Sequence, residues 1–69
     1  MDNKIMFMKR LRGLREGQEL TYRDLASIVN ISYQALHHYE IGDRDPSVWA
    51  VKKVANYFNV SIDWLVGDK

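Results

Sequence analysis

Two short helical stretches, separated by only a few residues, constrain this chain more than anything else in it. The first opens at Thr21-Tyr22-Arg23-Asp24, with Thr21 as N-cap and Asp24 as the acidic partner of a capping box. Leu25, Ile28 and Val29 form its inner face, with Ala26 beside them. Asn30 follows, a residue that tolerates the left-handed backbone, and Ser32 is the next N-cap, opening a helix that runs to Glu40. Two helices of about two turns each, joined by so few residues, cannot lie antiparallel along their length. They cross steeply, and the second is pushed outward as a protruding rod. The crossing needs a small side chain, which Ala26 supplies, and apolar anchors into the body, which Leu25, Val29, Ile31, Leu36 and Tyr39 supply.

The rest of the chain divides into further short helices. Phe7, Leu11 and Leu14 recur at i, i+4 and i+7, giving a first helix with Gly17 as its expected stop. Gly13 inside it costs roughly 1 kcal/mol against Ala. Ile41-Gly42-Asp43-Arg44-Asp45-Pro46 is a loop, after which Ser47 caps a fourth helix carrying Val51, Val54, Ala55 and Phe58. Ser61 caps a fifth, with Ile62, Leu65 and Val66, stopped by Gly67. No segment sustains the period-2 alternation of a strand. The expected architecture is all-α, five short helices in one domain over 1–69. A single core in 69 residues is marginal and must pack efficiently or gain support from an oligomer.

With no Cys there is neither a disulfide framework nor a thiolate metal site. No apolar run approaches the roughly 20 residues that span a bilayer. Met1-Asp2-Asn3-Lys4 followed by Ile5-Met6-Phe7-Met8 is too short for a signal peptide, since Lys9 and Arg10 interrupt it. The protein is therefore expected to stay in the cell, away from membranes. Net charge is only +1, so composition does not announce a nucleic-acid partner. The cluster Lys9, Arg10, Arg12 and Arg15, taken alone, reads as a solvated helix face.

Three segments in register carry a resemblance. Thr21-Tyr22-Arg23-Asp24-Leu25-Ala26, then Ile31-Ser32, then Leu36-His37-His38-Tyr39-Glu40-Ile41-Gly42-Asp43-Arg44-Asp45-Pro46-Ser47 follow a known spacing. It is that of the lambda-repressor-like, Cro-type helix-turn-helix family of phage repressors and XRE regulators. Val60-Ser61-Ile62-Asp63-Trp64-Leu65-Val66-Gly67 is similar to the last helix of phage-repressor DNA-binding domains. The resemblance implies a compact five-helix lambda-repressor-like DNA-binding domain, with the helix-turn-helix at helices 2 and 3, about residues 21–40. It also implies a sequence-specific regulator of transcription, a repressor, encoded by a bacterium or phage. Such a protein is cytoplasmic, nucleoid-associated when bound, and a homodimer at least on its palindromic double-stranded DNA operator. Two places depart from the family pattern: Tyr22 stands where Gln usually touches a phosphate, and Asn30 where the turn commonly has Gly.

On that resemblance the second motif helix, about 32–40, enters the major groove, where each base pair shows a distinct donor and acceptor pattern. Its outward residues Tyr33, Gln34, His37 and His38 are the candidate base readers. Gln34 suits adenine, Tyr33 a thymine methyl or a phosphate, and either histidine suits guanine as a donor. On an arbitrary helix the same stripe would be mere surface. The adjacent histidines do not suggest a metal site, because neighbouring helical residues point about 100° apart. The helix holds no Arg or Lys, so phosphate binding falls to Tyr22, Arg23, Ser32, the amides around Gly42, Arg44 and Ser47, with the basic first helix as a further source.

Arg15 and Glu40 each lie one turn beyond a core leucine, which places them at the rim of the core. The resemblance implies that they form a structural ion pair. Dimer contacts are expected at the C-terminal end, with Trp49, Ile62, Trp64, Leu65 and Val66 as candidates, although Trp64 also fits a core role. Nothing in the chain points to an enzyme, cofactor, metal or small-molecule ligand: there is no Ser-His-acid or Cys-His set and no phosphate-cradling glycine loop. The rival reading is an antitoxin or antirepressor-like protein-interaction module on the same fold, for which an exposed Trp49 would speak.

Overall fold

Side chains at the helix boundaries decide where each element of this chain begins and ends. The computed structural model describes residues 3–67; Met1, Asp2 and the last two residues of the expected 1–69 domain lie outside them. Among the described residues there are five α-helices and no strand: α1 (Asn3–Gly17), α2 (Tyr22–Val29), α3 (Tyr33–Ile41), α4 (Val48–Phe58) and α5 (Ile62–Val66). None is long and apolar enough to cross a membrane.

Thr21, Ser32, Ser47 and Ser61 are extended, and their hydroxyls accept from the amides of Asp24 (3.0 Å), Ala35 (3.1 Å), Ala50 (3.0 Å) and Trp64 (3.0 Å). Asp24 completes the capping box by accepting from the Thr21 amide at 3.1 Å. Each such cap stabilises a helix by about 1 kcal/mol, which matters when α2 and α3 have so few internal hydrogen bonds. The same four helices end on left-handed residues: Asn30 (φ 57), Gly42 (φ 80), Asn59 (φ 57) and Gly67 (φ 88). The end of α1 differs from expectation. Gly17 is its last helical residue, and the chain reverses at Glu19 (φ 58), with the Leu20 amide donating to the Arg15 carbonyl at 3.1 Å.

Phe7 and Leu11 of α1, Leu25 and Val29 of α2, Leu36 and Tyr39 of α3, four residues of α4 and Leu65 of α5 make one core. Phe7 meets Tyr39 edge to face at 5.5 Å. Helix α1 packs on α3 and α5, α2 on α3 and α4, and α4 on α5. Ile28 is a correction: it is 46% exposed, because two turns of α2 bury only the i, i+4 pair Leu25 and Val29.

Candidate nucleic-acid interface

The turn between α2 and α3 consists of left-handed Asn30, Ile31 and Ser32. The Ile31 amide donates to the Ala26 carbonyl at 3.1 Å, and Lys53 on α4 donates to the Asn30 carbonyl at 2.9 Å, so the turn is held from both sides. At its far end α3 is tied to α1. Arg15 donates to the two carboxylate oxygens of Glu40 at 2.7 and 3.0 Å, and to the Leu20 carbonyl at 2.6 Å. Arg12 Nε stands 3.6 Å from the same carboxylate.

The rim position expected for this pair holds for half-buried Arg15 and is corrected for Glu40. Glu40 is 1% exposed, inside the core, with Arg15 and Arg12 closing over its carboxylate. The hydrogen bond to Glu40 raises the Arg15 guanidinium above its ordinary value, against the opposing effect of burial. Gly42, next to this anchor, is required by its φ of +80°; a Cβ there would also meet Met8 Sδ at 2.7 Å, the flexible end of a side chain that can move aside.

With Leu36, Tyr39 and Glu40 facing inward, α3 turns Tyr33, Gln34, His37, His38 and Ile41 outward. Three of the rings around its first turn form one cluster. Tyr22 meets His37 at 5.5 Å and Tyr33 at 6.1 Å, and Tyr33 lies at 21° to His37 with centroids 6.5 Å apart. Cations cover two of these rings, Arg15 at 4.6 Å over Tyr22 and Arg23 at 4.8 Å over Tyr33. The side chains of Tyr33 and His37 are thus held in place before any ligand arrives, which lowers the ordering cost of a later contact. His37 Nδ1 is buried among its neighbours without a hydrogen-bond partner. His38 has a different environment, its Nδ1 2.8 and 3.1 Å from the two carboxylate oxygens of Asp43.

The candidate phosphate ligands divide. Arg23 and Arg44 are exposed, and Tyr22 is half-buried beneath Arg15. Ser32 and Ser47 use their oxygens as cap acceptors, which leaves each hydroxyl proton to donate. The Gly42 amide is not available, a correction: it donates to the His38 carbonyl at 3.1 Å, and the Asp43 amide reaches the same oxygen at 3.3 Å. The basic stretch of α1 is also largely consumed within the fold. Arg10 donates to the Trp64 carbonyl and lies 4.5 Å over its ring, while Arg12 and Arg15 serve Glu40. Lys9 is exposed. The Arg10–Trp64 contact carries no local signal in the sequence, since its partners are 54 residues apart.

The C-terminal surface is smaller than expected. Leu65 is fully buried, the one α5 residue enclosed by the core, and cannot contribute to an outer contact. Trp64 packs against the core beneath Arg10, and Val66 is half-buried. Trp49 (70% exposed) and Ile62 (43%) remain outside. Ile62 lines an open groove of about 410 Å³ together with Pro46, Val48, Val51 and Val66, with Lys4 and Asp45 at its charged edge; Trp49 is not part of its lining. Among the described residues no group of three His, Cys, Asp or Glu is placed to hold a metal ion.

A family profile described as helix-turn-helix matches residues 11–65. The chain is 37% identical over 59 residues to the HTH-type transcriptional regulator ImmR of Bacillus subtilis (strain 168), covering 86% of this chain and 46% of that protein. It is 33% identical over 60 residues to the HTH-type transcriptional activator BcrR of Enterococcus faecalis, covering 87% and 29%. To the cryptic phage CTXphi transcriptional repressor RstR of Vibrio cholerae it is 30% identical over 63 residues, covering 91% and 57%. The chain therefore spans from under a third to somewhat over half of the length of these relatives. No solved structure matches it.

Proposed function

The chain belongs to the helix-turn-helix family, and on that premise we propose that it is a sequence-specific, double-stranded-DNA-binding regulator of transcription. The observation that carries the reading is the division of labour in α3. Its inner face is locked by Leu36, Tyr39 and the Arg15–Glu40 pair, while its outer face offers Tyr33, Gln34, His37 and His38 on a preset aromatic base. A short protruding helix of this kind fits the major groove, with Gln34 paired in two places to adenine and Tyr33 against a thymine methyl or the backbone.

Arg23 and Arg44 would neutralise phosphates, assisted by the hydroxyls of Ser32 and Ser47 and the phenol of Tyr22. Two such arginines per copy give modest affinity for a single subunit. A homodimer on a palindromic operator remedies this, with reading helices one duplex turn, roughly 34 Å, apart. Exposed Trp49 and Ile62, with half-buried Trp64 and Val66, are the surface for that pairing. Repression requires only that the operator be occupied, so the proposal assigns a repressor, working in the cytoplasm of a bacterium on bacterial or phage DNA. No step calls for a cofactor or for enzymatic chemistry.

Fluorescence anisotropy with a labelled duplex, repeated across a salt series, tests this. With about four phosphates neutralised per dimer, log K against log[salt] is expected to fall with a slope of about −3 to −4. The 70% exposure of Trp49 favours a second reading, a protein-interaction module of the antitoxin or antirepressor kind. That reading expects a stoichiometric protein complex and a flat salt response.

A further inference from the structure

We propose that Asp43 is a positioning residue that sets the hydrogen-bond polarity of His38, so that α3 presents an acceptor there. Such an acceptor suits the amino group of adenine or cytosine and not guanine. The inference rests on the DNA-reading function proposed above and goes beyond it, to which bases one side chain accepts.

The starting point is the pair of contacts at 2.8 and 3.1 Å from His38 Nδ1 to both carboxylate oxygens of Asp43. A carboxylate has no proton to give, so the hydrogen in this bond belongs to Nδ1. A neutral imidazole carries one N–H, and with it at Nδ1 the second nitrogen, Nε2, is a bare acceptor. In the major groove, adenine N6 and cytosine N4 are donors, whereas guanine shows only the acceptors N7 and O6. A bare Nε2 is complementary to the first two and opposes the third.

The backbone makes this arrangement more than a chance encounter of two surface side chains. Left-handed Gly42, at φ +80°, turns the chain back over the end of α3, and the Asp43 amide donates to the carbonyl of His38 itself at 3.3 Å. Residues 38 and 43 are thus joined through backbone and side chain together. That left-handed φ is one that side-chain-bearing residues rarely adopt, so glycine at position 42 keeps the turn in place. The His38 side chain keeps 40% of its exposure, with Asp43 at Nδ1 and the His37 ring edge to face at 5.8 Å. His37 is its opposite. Its Nδ1 faces no carboxylate and lies buried among rings, so no such partner sets its polarity. The two adjacent histidines are therefore not interchangeable readers.

Two measurements test the proposal. Long-range ¹⁵N–¹H correlation spectra of the free protein at mildly alkaline pH are expected to show His38 protonated at Nδ1 alone, a pattern lost in Asp43→Ala. Selection from a random duplex pool is expected to give a base preference at one position per half-site, with adenine or cytosine on the strand that faces His38. In Asp43→Ala that preference should fall on the order of tenfold. His38→Ala should produce the same loss, and the double variant no more. Asp43 is 53% exposed, so its replacement should leave the melting curve nearly unchanged. A proton on Nε2, or on both nitrogens, overturns the inference, as does an enriched motif that is identical for wild type and Asp43→Ala. If wild type enriches no sequence, the DNA-reading function itself fails and this inference with it, an outcome distinct from enrichment without an effect of Asp43.

Discussion

Replacing Arg15 by Met removes the main partner of a carboxylate that has 0% side-chain exposure. Breaking a buried ion pair from one side costs about 3–5 kcal/mol, since the remaining charge is stranded. Arg12, 3.6 Å away and 49% exposed, can swing in and recover part of this, on the order of 1 kcal/mol. A net loss of about 2–4 kcal/mol follows, against a total stability of about 3–10 kcal/mol for a chain of 69 residues. At roughly 4–8 °C per kcal/mol, the melting temperature should fall by at least about 8 °C, and the variant should be close to unfolding at 37 °C.

Glu40→Gln should cost less, about 1–2 kcal/mol, because the amide still accepts one hydrogen bond and Arg15 keeps the Leu20 carbonyl at 2.6 Å. The double replacement Arg15→Met with Glu40→Met should lose far less than the sum, since an apolar pair strands no charge. Because Glu40 raises the Arg15 value, the stabilisation from that charge is complete below the ordinary guanidinium range and is lost only as pH rises through the raised folded value. The gap between wild type and Arg15→Met should therefore hold constant from about pH 7 to about pH 10. Urea melts followed by circular dichroism measure all of this. Equal costs for Arg15→Met and Glu40→Gln, or strict additivity in the double variant, would refute the reasoning.

Gly42→Ala should destabilise by about 1–3 kcal/mol through its left-handed φ and the Met8 contact; in a Met8→Ala background the penalty should shrink, and an unchanged penalty would leave only the backbone effect. Leu65→Ala should cost about 2–5 kcal/mol as a core truncation. Trp49→Ala should change stability by no more than about 0.5 kcal/mol yet weaken cooperative binding to a two-site duplex, which sedimentation with and without that DNA would detect. Arg44→Ala should weaken all sequences alike and flatten the salt slope by about 1 per copy, as read by anisotropy.

What could be read directly from the sequence is what local chemistry decides. Thr21, Ser32, Ser47 and Ser61 cap their helices through atoms only three residues away, so their spacing announces them. The stripe of Phe7 and Leu11, and that of Val51, Val54 and Ala55, likewise face the core they imply. Helix length set the limit on such arguments. In α2, two turns are too few for a broad inner face, and Ile28 falls outside it. In α5, one turn leaves room for a single inward residue, so Leu65 is buried and Ile62 is not.

Contacts across the fold had no local signature. Arg10 with Trp64, and Lys53 with Asn30, join elements whose relative placement only the finished packing sets. The two histidines of the candidate site show the same division. Their outward placement follows from α3's period, but the carboxylate beside His38 depends on the left-handed turn at Gly42. That turn also consumes the Gly42 amide, which the sequence left as a phosphate ligand.

Selection of bound duplexes from a random pool, carried out in parallel with wild type and Gln34→Ala, tests the central claim that the outer face of α3 reads DNA. Wild type is expected to enrich one inverted repeat with half-sites about one duplex turn apart. Gln34→Ala should enrich the same repeat with the preference at one base pair per half-site reduced by about 1–3 kcal/mol and the other positions intact. Identical motifs for the two proteins would remove Gln34 from the reading face, and the absence of any enriched sequence for wild type would contradict the account at its base.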